Sequence, residues 1–182
     1  ISDSECNVGD GMSLRFFANG DKSLMEQCRQ WIAGEDIQDI VIMSPFHDPN
    51  GSFINGMIEQ YNPKTFDLIL QKGFGFAPEI AKVPNDVNII EWDDMRAASS
   101  LRQKYFHAKC VFLQGEHNSY LICGSANSSI AAFGKVDKNG INHEACIGYK
   151  IPKQSFYDFV GIQRPSPIER LQLTNYPTQS GE

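Results

Sequence analysis

Strand-like and helix-like segments alternate through the first half of the chain, and this alternation is the strongest constraint on its fold. Four short apolar runs have the character of strands, at residues 14–17, 40–44, 66–70 and 87–91. Two segments place apolar side chains at helical spacing, at residues 22–33 and 53–61. Strands joined by helices favour a parallel sheet that is covered on both faces.

The pattern changes in the second half of the chain. Residues 106–113 and 119–123 are strand-like, and the segment between them has a length suited to a hairpin, so we expect an antiparallel pair in the sheet. A short helix, a last strand and a final helix are predicted at 128–133, 144–150 and 152–160. The predicted fold class is α/β, with a mixed, mainly parallel sheet and helices on both faces.

The composition is that of a globular protein of one domain, with 182 residues of which 41% are hydrophobic and 21% charged. The longest apolar runs are a few residues, far below the roughly 18 needed to cross a bilayer. A net charge of −6 argues against a general electrostatic grip on nucleic acid or anionic lipid, although a local basic groove remains compatible with it.

The chain termini and the cysteines bear on context. The sequence starts without Met, a basic segment or an apolar segment, which argues against a secretory signal and suggests part of a longer protein. Its five cysteines form no C-x-x-C pair, so a reducing cytoplasm is the expected location. We expect one domain over residues 1–162. Residues 163–182, which contain three prolines, are expected to form a tail or a linker to a following region.

His107 and Lys109 form the first element of a candidate site. Side chains alternate along a strand, so these two point to the same face of the predicted strand, about 7 Å apart along it. An H-x-K triplet alone also fits a surface strand with two polar residues.

Two further elements converge on the same place. The segment Gly124-Ser125-Ala126-Asn127 ends the neighbouring strand, and the hairpin brings it back beside His107. Asn142 and Glu144 begin the last strand and could place a carboxylate behind the imidazole. Together these elements supply a nucleophile or general acid, a cation, neutral hydrogen-bond donors and an orienting acid.

In order, these residues resemble the phospholipase D superfamily, whose signature is H-x-K, then G-S-x-N, then N-x-E. The resemblance covers residues 31–150, and Ser44-Pro45-Phe46 after an apolar strand is similar to bacterial members fused to helicase or restriction modules. It implies the phospholipase D type of α/β fold. It also implies a phosphodiesterase that needs neither a metal nor another cofactor, with DNA as the favoured substrate and no membrane partner.

The resemblance also implies the role of each residue. His107 attacks phosphorus to form a phosphohistidine, or protonates the leaving oxygen when its partner attacks. Lys109 and Asn127 hold the non-bridging oxygens, where charge accumulates. Glu144 fixes the tautomer of the imidazole, and Ser125 is a secondary contact to phosphate or to Glu144.

The chain departs from the family pattern in two ways. Gln114 stands where the family has Asp, and only His107 lies in an H-x-K triplet. The mechanism needs one histidine as nucleophile and another as general acid, which is worth about 10² to 10⁴ in rate. We therefore expect a second copy of the motif, in a homodimer with a shared two-fold axis or in another phospholipase D half.

Other interpretations remain open. His107, Cys110, Cys123 and His143 could bind zinc, although the cysteines are more typical of small buried side chains. His47 follows a strand end and could contact substrate, and the aromatic residues of segment 73–76 could stack on bases. A non-catalytic module for dimerisation or nucleic-acid binding, and a phospholipid-processing enzyme, are the competing functions.

Overall fold

One eight-stranded sheet organises the computed structural model, which describes residues 5–97, 107–170 and 176–178. The strand order is β1-β2-β8-β7-β6-β3-β4-β5. The strands are β1 (Cys6–Gly9), β2 (Met12–Ala18), β3 (Asp39–Met43), β4 (Thr65–Leu70), β5 (Val87–Glu91), β6 (Cys110–Gln114), β7 (Asn118–Gly124) and β8 (Ala145–Pro152). The helices are α1 (Leu24–Trp31), α2 (Ser52–Tyr61), α3 (Trp92–Ala97), α4 (Ile130–Phe133) and α5 (Phe156–Val160).

The direction of the strands corrects one expectation. The mixed α/β class is confirmed, but the sheet is mostly antiparallel rather than mainly parallel. Only β3–β4 and β4–β5 are parallel among the pairs of described strands, and the other five pairs are antiparallel. The reason is that the β6–β7 hairpin inserts between β3 and β8, so the chain reverses direction at each step across the middle of the sheet.

The predicted helices form where apolar periodicity coincides with a cap. The side chain of Ser23 accepts a hydrogen bond from the amide of Glu26 at 3.0 Å, which starts α1 as an N-cap. Helix α2 ends at Asn62, whose left-handed backbone (φ 43°) precedes Pro63. Helix α5 starts at Phe156, later than predicted, because Pro152 still belongs to β8.

Two elements are absent from the sequence prediction. Strand β1 is short and exposed, and the described side chains of α3 include two buried apolar ones, Trp92 and Met95, around two aspartates. Neither element is long enough to show a period. Residues 80–82 form the short helical turn expected in the Gly/Pro-rich segment.

Each face of the sheet has its own apolar core. Helices α1, α2 and α4 bury one face, on which Phe17, Ile42 and Val111 lie. Helices α3 and α5 bury the other, on which Met43 and Phe112 lie. Alternate residues of a strand therefore belong to different cores, which assigns a face to each polar residue near the strand ends. No helix in the described parts of the chain is long and apolar enough to cross a membrane.

The described residues beyond 162 lie along the outer edge of the sheet. The amide of Ile168 donates to Ile89 of the edge strand β5 at 2.9 Å, and Arg170 donates to the carbonyl of Val83 at 3.0 Å. Ala77 donates its amide to Pro177 at 2.8 Å. The Ile168 contact covers part of the edge of β5, and the other two attach the chain to the segment between β4 and β5. The domain boundary at residue 162 stays a prediction.

A buried carboxylate ties this segment to the sheet. The side chain of Asp67 on β4 is 1% exposed and accepts two hydrogen bonds from Arg164, at 2.7 and 2.8 Å. Tyr157 donates at 2.7 Å and Asn88 at 3.0 Å. The carboxylate is therefore saturated with donors. Burial, together with the neighbouring Asp67 charge, raises the pKa of Tyr157.

Replacement of Arg164 by Met should lower the free energy of unfolding by about 2–3 kcal/mol, because it leaves the Asp67 carboxylate buried with too few donors. The loss is smaller than for a fully buried pair, since the Arg164 side chain is 38% exposed. Urea unfolding measures it. The matched control is Arg29→Met, which breaks an exposed pair with Glu26 on α1 and should cost much less, because solvent screens an exposed ion pair. Equal losses for the two variants would contradict this account.

Candidate active site

Strand register brings the candidate residues to the same end of four neighbouring strands, which is called here one edge of the sheet. Met43 of β3 lies opposite Cys110 of β6, which lies opposite Cys123 of β7, and Gly124 lies opposite Cys146 of β8. The carboxyl ends of β3 and β7 and the amino ends of β6 and β8 therefore meet. The polar residues that continue these four strands are neighbours in space although they are far apart in the sequence.

His107 and Lys109 precede β6 rather than lying within it. The strand begins at Cys110, three residues after His107, and the expected start at Phe106 lies outside the described residues. The backbone still runs beside β7, because the amide of Gly124 donates to the carbonyl of Lys109 at 3.4 Å. Val111 faces the core under α1, α2 and α4, so Lys109, two residues earlier, lies on that same face.

The imidazole and the ammonium are in contact. Lys109 Nζ lies 3.3 Å from Nε2 and 3.5 Å from Nδ1 of His107. The His107 side chain is exposed and Lys109 is partly exposed, so both can meet a molecule from solvent. The expected proximity of these two side chains is thus present in the structure, whereas their roles in a reaction stay a prediction.

Gly124 is required by the close approach of two strands. A Cβ atom at this position would lie 2.3 Å from the carbonyl oxygen of Ala145 and 2.7 Å from Cα of Cys146. Any larger residue would therefore push β7 away from β8. The glycine of the G-S-x-N segment keeps Ser125 against the start of β8.

Ser125, Asn142 and Glu144 form one hydrogen-bonded group. Ser125 donates its hydroxyl to Glu144 Oε2 and accepts the amide of Ala145 at 3.0 Å. Asn142 donates its side-chain amide to Glu144 Oε1 at 3.1 Å. Within the described chain no hydrogen bond joins Glu144 to His107, so the carboxylate orients Ser125 in this state. Its expected contact with the imidazole stays a prediction.

Asn127 lies against the loop that follows β3, where its side chain contacts Ser44. The hydroxyl of Ser44 is 3.4 Å from Asn127 Oδ1 and accepts the amide of Ser128 at 3.1 Å. Ser44 is 1% exposed and Asn127 is partly exposed. Sequence reasoning used Ser44 only as part of the resemblance. Its position, the first residue after a buried strand on the face of Ile42, is the signal that would have identified it.

Asp48 follows the strand end together with His47, and its residue type is typical of turns, so the sequence did not indicate the structural role that it has here. Its carboxylate accepts the amide of Phe53 at 3.0 Å and that of Ile130 at 3.0 and 3.1 Å. One side chain therefore joins the starts of α2 and α4, and α4 begins directly after the turn that carries Asn127. Burial raises the pKa of this carboxyl, and the hydrogen bonds from the two amides reduce this rise without cancelling it.

His47 belongs to the loop that follows β3, and its ring is buried. Its side chain is 4% exposed, and Nε2 is 2.9 Å from the carbonyl oxygen of Ser44, so Nε2 carries the proton. Nδ1 is buried without a partner among the described residues. Burial lowers the pKa of His47 to about 4. The ring supports the loop from below, and its direct contact with substrate stays a prediction.

Gln114 lies at the other end of β6. It pairs with Asp39 and Ser119, at the edge of the sheet opposite to His107, and its Oε1 is buried without a partner in the described chain. The departure from the family's Asp therefore falls outside the group of residues around His107.

The cysteines do not gather with the histidines as a metal site. Cys110 and Cys123 face each other across β6 and β7, and burial raises the pKa of both thiols. A raised pKa opposes the thiolate form that zinc needs. Across residues 5–97, 107–170 and 176–178, no three His, Cys, Asp or Glu side chains are grouped closely enough to hold a metal ion.

Segment 73–76 reaches the same loop. Phe76 is 40% exposed, and its ring centroid is 5.6 Å from that of Phe46. Its backbone pairs with the loop after β3, since the amide of Phe76 donates to Pro45 at 2.8 Å. Gly75 has a positive φ of 75° and no room for a Cβ against the Pro45 carbonyl. Base stacking by Phe76 stays a prediction.

Comparison with known proteins finds a similarity in structure but none in sequence. No protein-family model matches the chain, and no curated protein matches it in sequence. Yeast tyrosyl-DNA phosphodiesterase is similar in structure, at 12% identity and a TM-score of 0.46, over 74% of this chain and 31% of that one. A histidine-to-alanine variant of the yeast protein gives the same four values. This chain spans about a third of the length of those proteins, and no residue role is transferred from them.

The burial of His47 predicts a pH dependence of stability. The folded chain holds the pKa near 4, below its ordinary 6.5, so between these values the unfolded chain binds a proton that the folded chain excludes. His47 therefore makes the free energy of unfolding fall as pH drops from 6.5 towards 4, by up to about 1.4 kcal/mol per unit. His47→Gln should remove this slope in urea unfolding between about pH 7 and pH 5.

The control for this measurement is His117→Gln on the exposed β6–β7 turn, where the side chain is 72% exposed, and it should keep the wild-type slope. Asp48 and the other carboxyls are present in the wild type and in both variants, so their contribution to the slope cancels when the proteins are compared. An identical slope for the wild type and His47→Gln would contradict the buried, neutral imidazole.

Proposed function

We propose that this chain is a metal-independent phosphodiesterase of the phospholipase D type, which cleaves DNA through a phosphohistidine intermediate. The observation that carries the proposal is the contact of His107 with Lys109 beside β7, where the amide of Gly124 donates to the carbonyl of Lys109. These are the groups that the family motif requires around phosphorus. The exposure of His107 is consistent with attack on a substrate that arrives from solvent.

The reaction is the one that the family resemblance implies, and each group is suited to its role in it. A ring nitrogen of His107 attacks phosphorus, a P–N bond forms, and the P–O bond to the leaving alkoxide breaks as a general acid protonates that oxygen. Lys109 and Asn127 donate hydrogen bonds to the non-bridging oxygens, which carry the growing negative charge. Water then attacks the phosphohistidine, which restores His107. The cationic and amide donors supply the charge stabilisation, so the step needs no metal ion.

The general acid is expected from a second copy of the motif. His47 is buried with a lowered pKa, and His117 lies on the hairpin turn at the far end of the sheet. Neither can protonate a leaving group beside His107, and His143, the remaining histidine, is not part of an H-x-K triplet. A homodimer with a shared two-fold axis would place two copies of His107 face to face, and another phospholipase D half would do the same.

DNA is favoured over phospholipid by the resemblance of Ser44-Pro45-Phe46 and the later motifs to restriction and helicase-associated members. Fused helicase or restriction domains and a cytoplasmic location are parts of the same proposal. The third candidate, a phospholipid-processing enzyme, predicts hydrolysis of phospholipid vesicles.

The second candidate is a non-catalytic module for dimerisation or DNA binding. The lack of a second H-x-K triplet in the chain and the Gln at position 114 favour it. It predicts DNA affinity without turnover. The position of Gln114, at the opposite edge from His107, weakens its support, because the substitution leaves the proposed reacting groups in place.

Cleavage of DNA or of bis-nitrophenyl phosphate should persist in EDTA and fall by at least about 10³-fold in His107→Ala, because the nucleophile is lost. The matched control, His117→Ala, removes a distant exposed imidazole and should keep full activity. Cleavage that disappears in EDTA would contradict the metal-free mechanism, and unchanged cleavage by His107→Ala would exclude the proposed nucleophile.

Mixing subunits tests the shared site. If each site uses two copies of His107, an excess of His107→Ala chains should lower the activity per wild-type chain, because hybrid dimers hold one imidazole per site. An equal excess of His117→Ala chains should not. Activity is measured after subunit exchange, with the dimer checked by light scattering. A fully active monomer, or constant activity per wild-type chain among exchanged dimers, would contradict the shared site.

A further inference from the structure

Asn127 is held by a residue that the proposed reaction does not use. Ser44 follows β3 and is 1% exposed, whereas Asn127 follows β7 and is partly exposed. The two side chains meet because β3 and β7 end at the same edge of the sheet, on either side of β6. The contact therefore links the loop after β3 to the turn that carries the proposed phosphate-binding amide.

The Ser44 hydroxyl uses its full hydrogen-bonding capacity. Its oxygen accepts the amides of Ser128 at 3.1 Å and Phe46 at 3.4 Å. Its single proton is shared between the carbonyl of Phe46 at 2.9 Å and Oδ1 of Asn127 at 3.4 Å. A hydroxyl with one proton and two lone pairs can serve all four groups. Removal of the hydroxyl therefore frees the amide of Ser128 and the side chain of Asn127.

The consequence falls on the orientation of the Asn127 carboxamide. With Oδ1 directed towards the buried Ser44 hydroxyl, the Nδ2 group is directed away from the loop, and its two N–H bonds are available for an oxyanion. An inverted amide would present an acceptor to the phosphate oxygens and repel them. We propose that Ser44 is a positioning residue, which orients the Asn127 amide so that it donates to the non-bridging oxygens of the phosphodiester.

Asp48 fixes the same turn from its other side. Its carboxylate accepts the amide of Ile130, three residues after Asn127, and that of Phe53 in α2. The backbone bridge between His47 and Ser128 lies between the two anchors. The turn is thus attached to the loop at Ser128 through Ser44 and at Ile130 through Asp48, so loss of the Ser44 hydroxyl frees the Ser128 amide and the Asn127 side chain while the Asp48 anchor remains.

The inference rests on the proposed function, and Ser44→Ala tests it. Because an amide that is free to rotate still donates part of the time, kcat should fall about tenfold with KM changed less than about twofold, against a loss of about 10² to 10³ in Asn127→Ala. The matched control is Ser119→Ala. Ser119 is equally buried, and its hydroxyl bridges the backbone of Gln154 at the opposite edge of the sheet, at 2.7 and 3.0 Å. Both serine variants should lose a few degrees of melting temperature, roughly 3–8 °C, and only Ser44→Ala should lose kcat.

The double variant separates positioning from general structure. If Ser44 acts through Asn127, Ser44→Ala/Asn127→Ala should have the kcat of Asn127→Ala within about twofold. Multiplying losses would overturn the inference, as would equal losses of kcat in Ser44→Ala and Ser119→Ala.

A spectroscopic measurement keeps the inference testable if the chain cleaves no phosphodiester, in which case the proposed function fails first. The side-chain amide pair of Asn127 is identified in a ¹⁵N–¹H correlation spectrum by its loss in Asn127→Ala. Ser44→Ala should shift this pair and reduce its order, and Ser119→Ala should not. Inorganic phosphate should move the pair in the wild type. An unmoved pair in Ser44→Ala would overturn the positioning role whatever the activity.

Discussion

The alignment of four strand ends at one edge of the sheet is the constraint on which the rest of the site depends. Backbone pairing places Lys109 beside Gly124 and Gly124 beside Cys146, while β3 ends on the other side of β6. A slip of one residue in any of these pairs would turn the polar side chains to the other face. Buried apolar rows on both faces make such a slip expensive, so the two cores maintain the position of His107 relative to Asn127.

Buried polar groups complete what the strands begin. The loop after β3 has few apolar side chains of its own, and Ser44, His47 and Asp48 satisfy backbone groups that would otherwise be unpaired at the edge of the sheet. A buried polar atom without a partner costs about 1–3 kcal/mol, which favours one arrangement of the loop over its alternatives. Within β4, the buried Asp67 carboxylate attaches the segment beyond α5 through Arg164 in the same manner.

Features that a local sequence pattern encodes could be predicted, whereas features that depend on the topology of the chain could not. Helices α1 and α2 and the strands from β2 to β8 were predictable, because each shows a period and a boundary such as the Ser23 cap. The H-x-K and G-S-x-N segments were predictable neighbours, since a hairpin joins them. The antiparallel majority was not, because the order of strands depends on which faces pack together and no local period encodes it. The contact of Glu144 with Ser125 was expected only through the family resemblance. The contact of Ser44 with Asn127 joins residues distant in the chain, which a single sequence does not connect.

The central claim is that His107, Lys109 and Asn127 surround one phosphorus atom. A crystal structure of the protein with orthovanadate, which adopts the five-coordinate geometry of phosphoryl transfer, tests this directly. The account predicts vanadium bonded to a ring nitrogen of His107, with its equatorial oxygens accepting hydrogen bonds from Lys109 Nζ and Asn127 Nδ2. Vanadate bound elsewhere, with the His107 ring free and Asn127 directed away from any oxyanion, would contradict it.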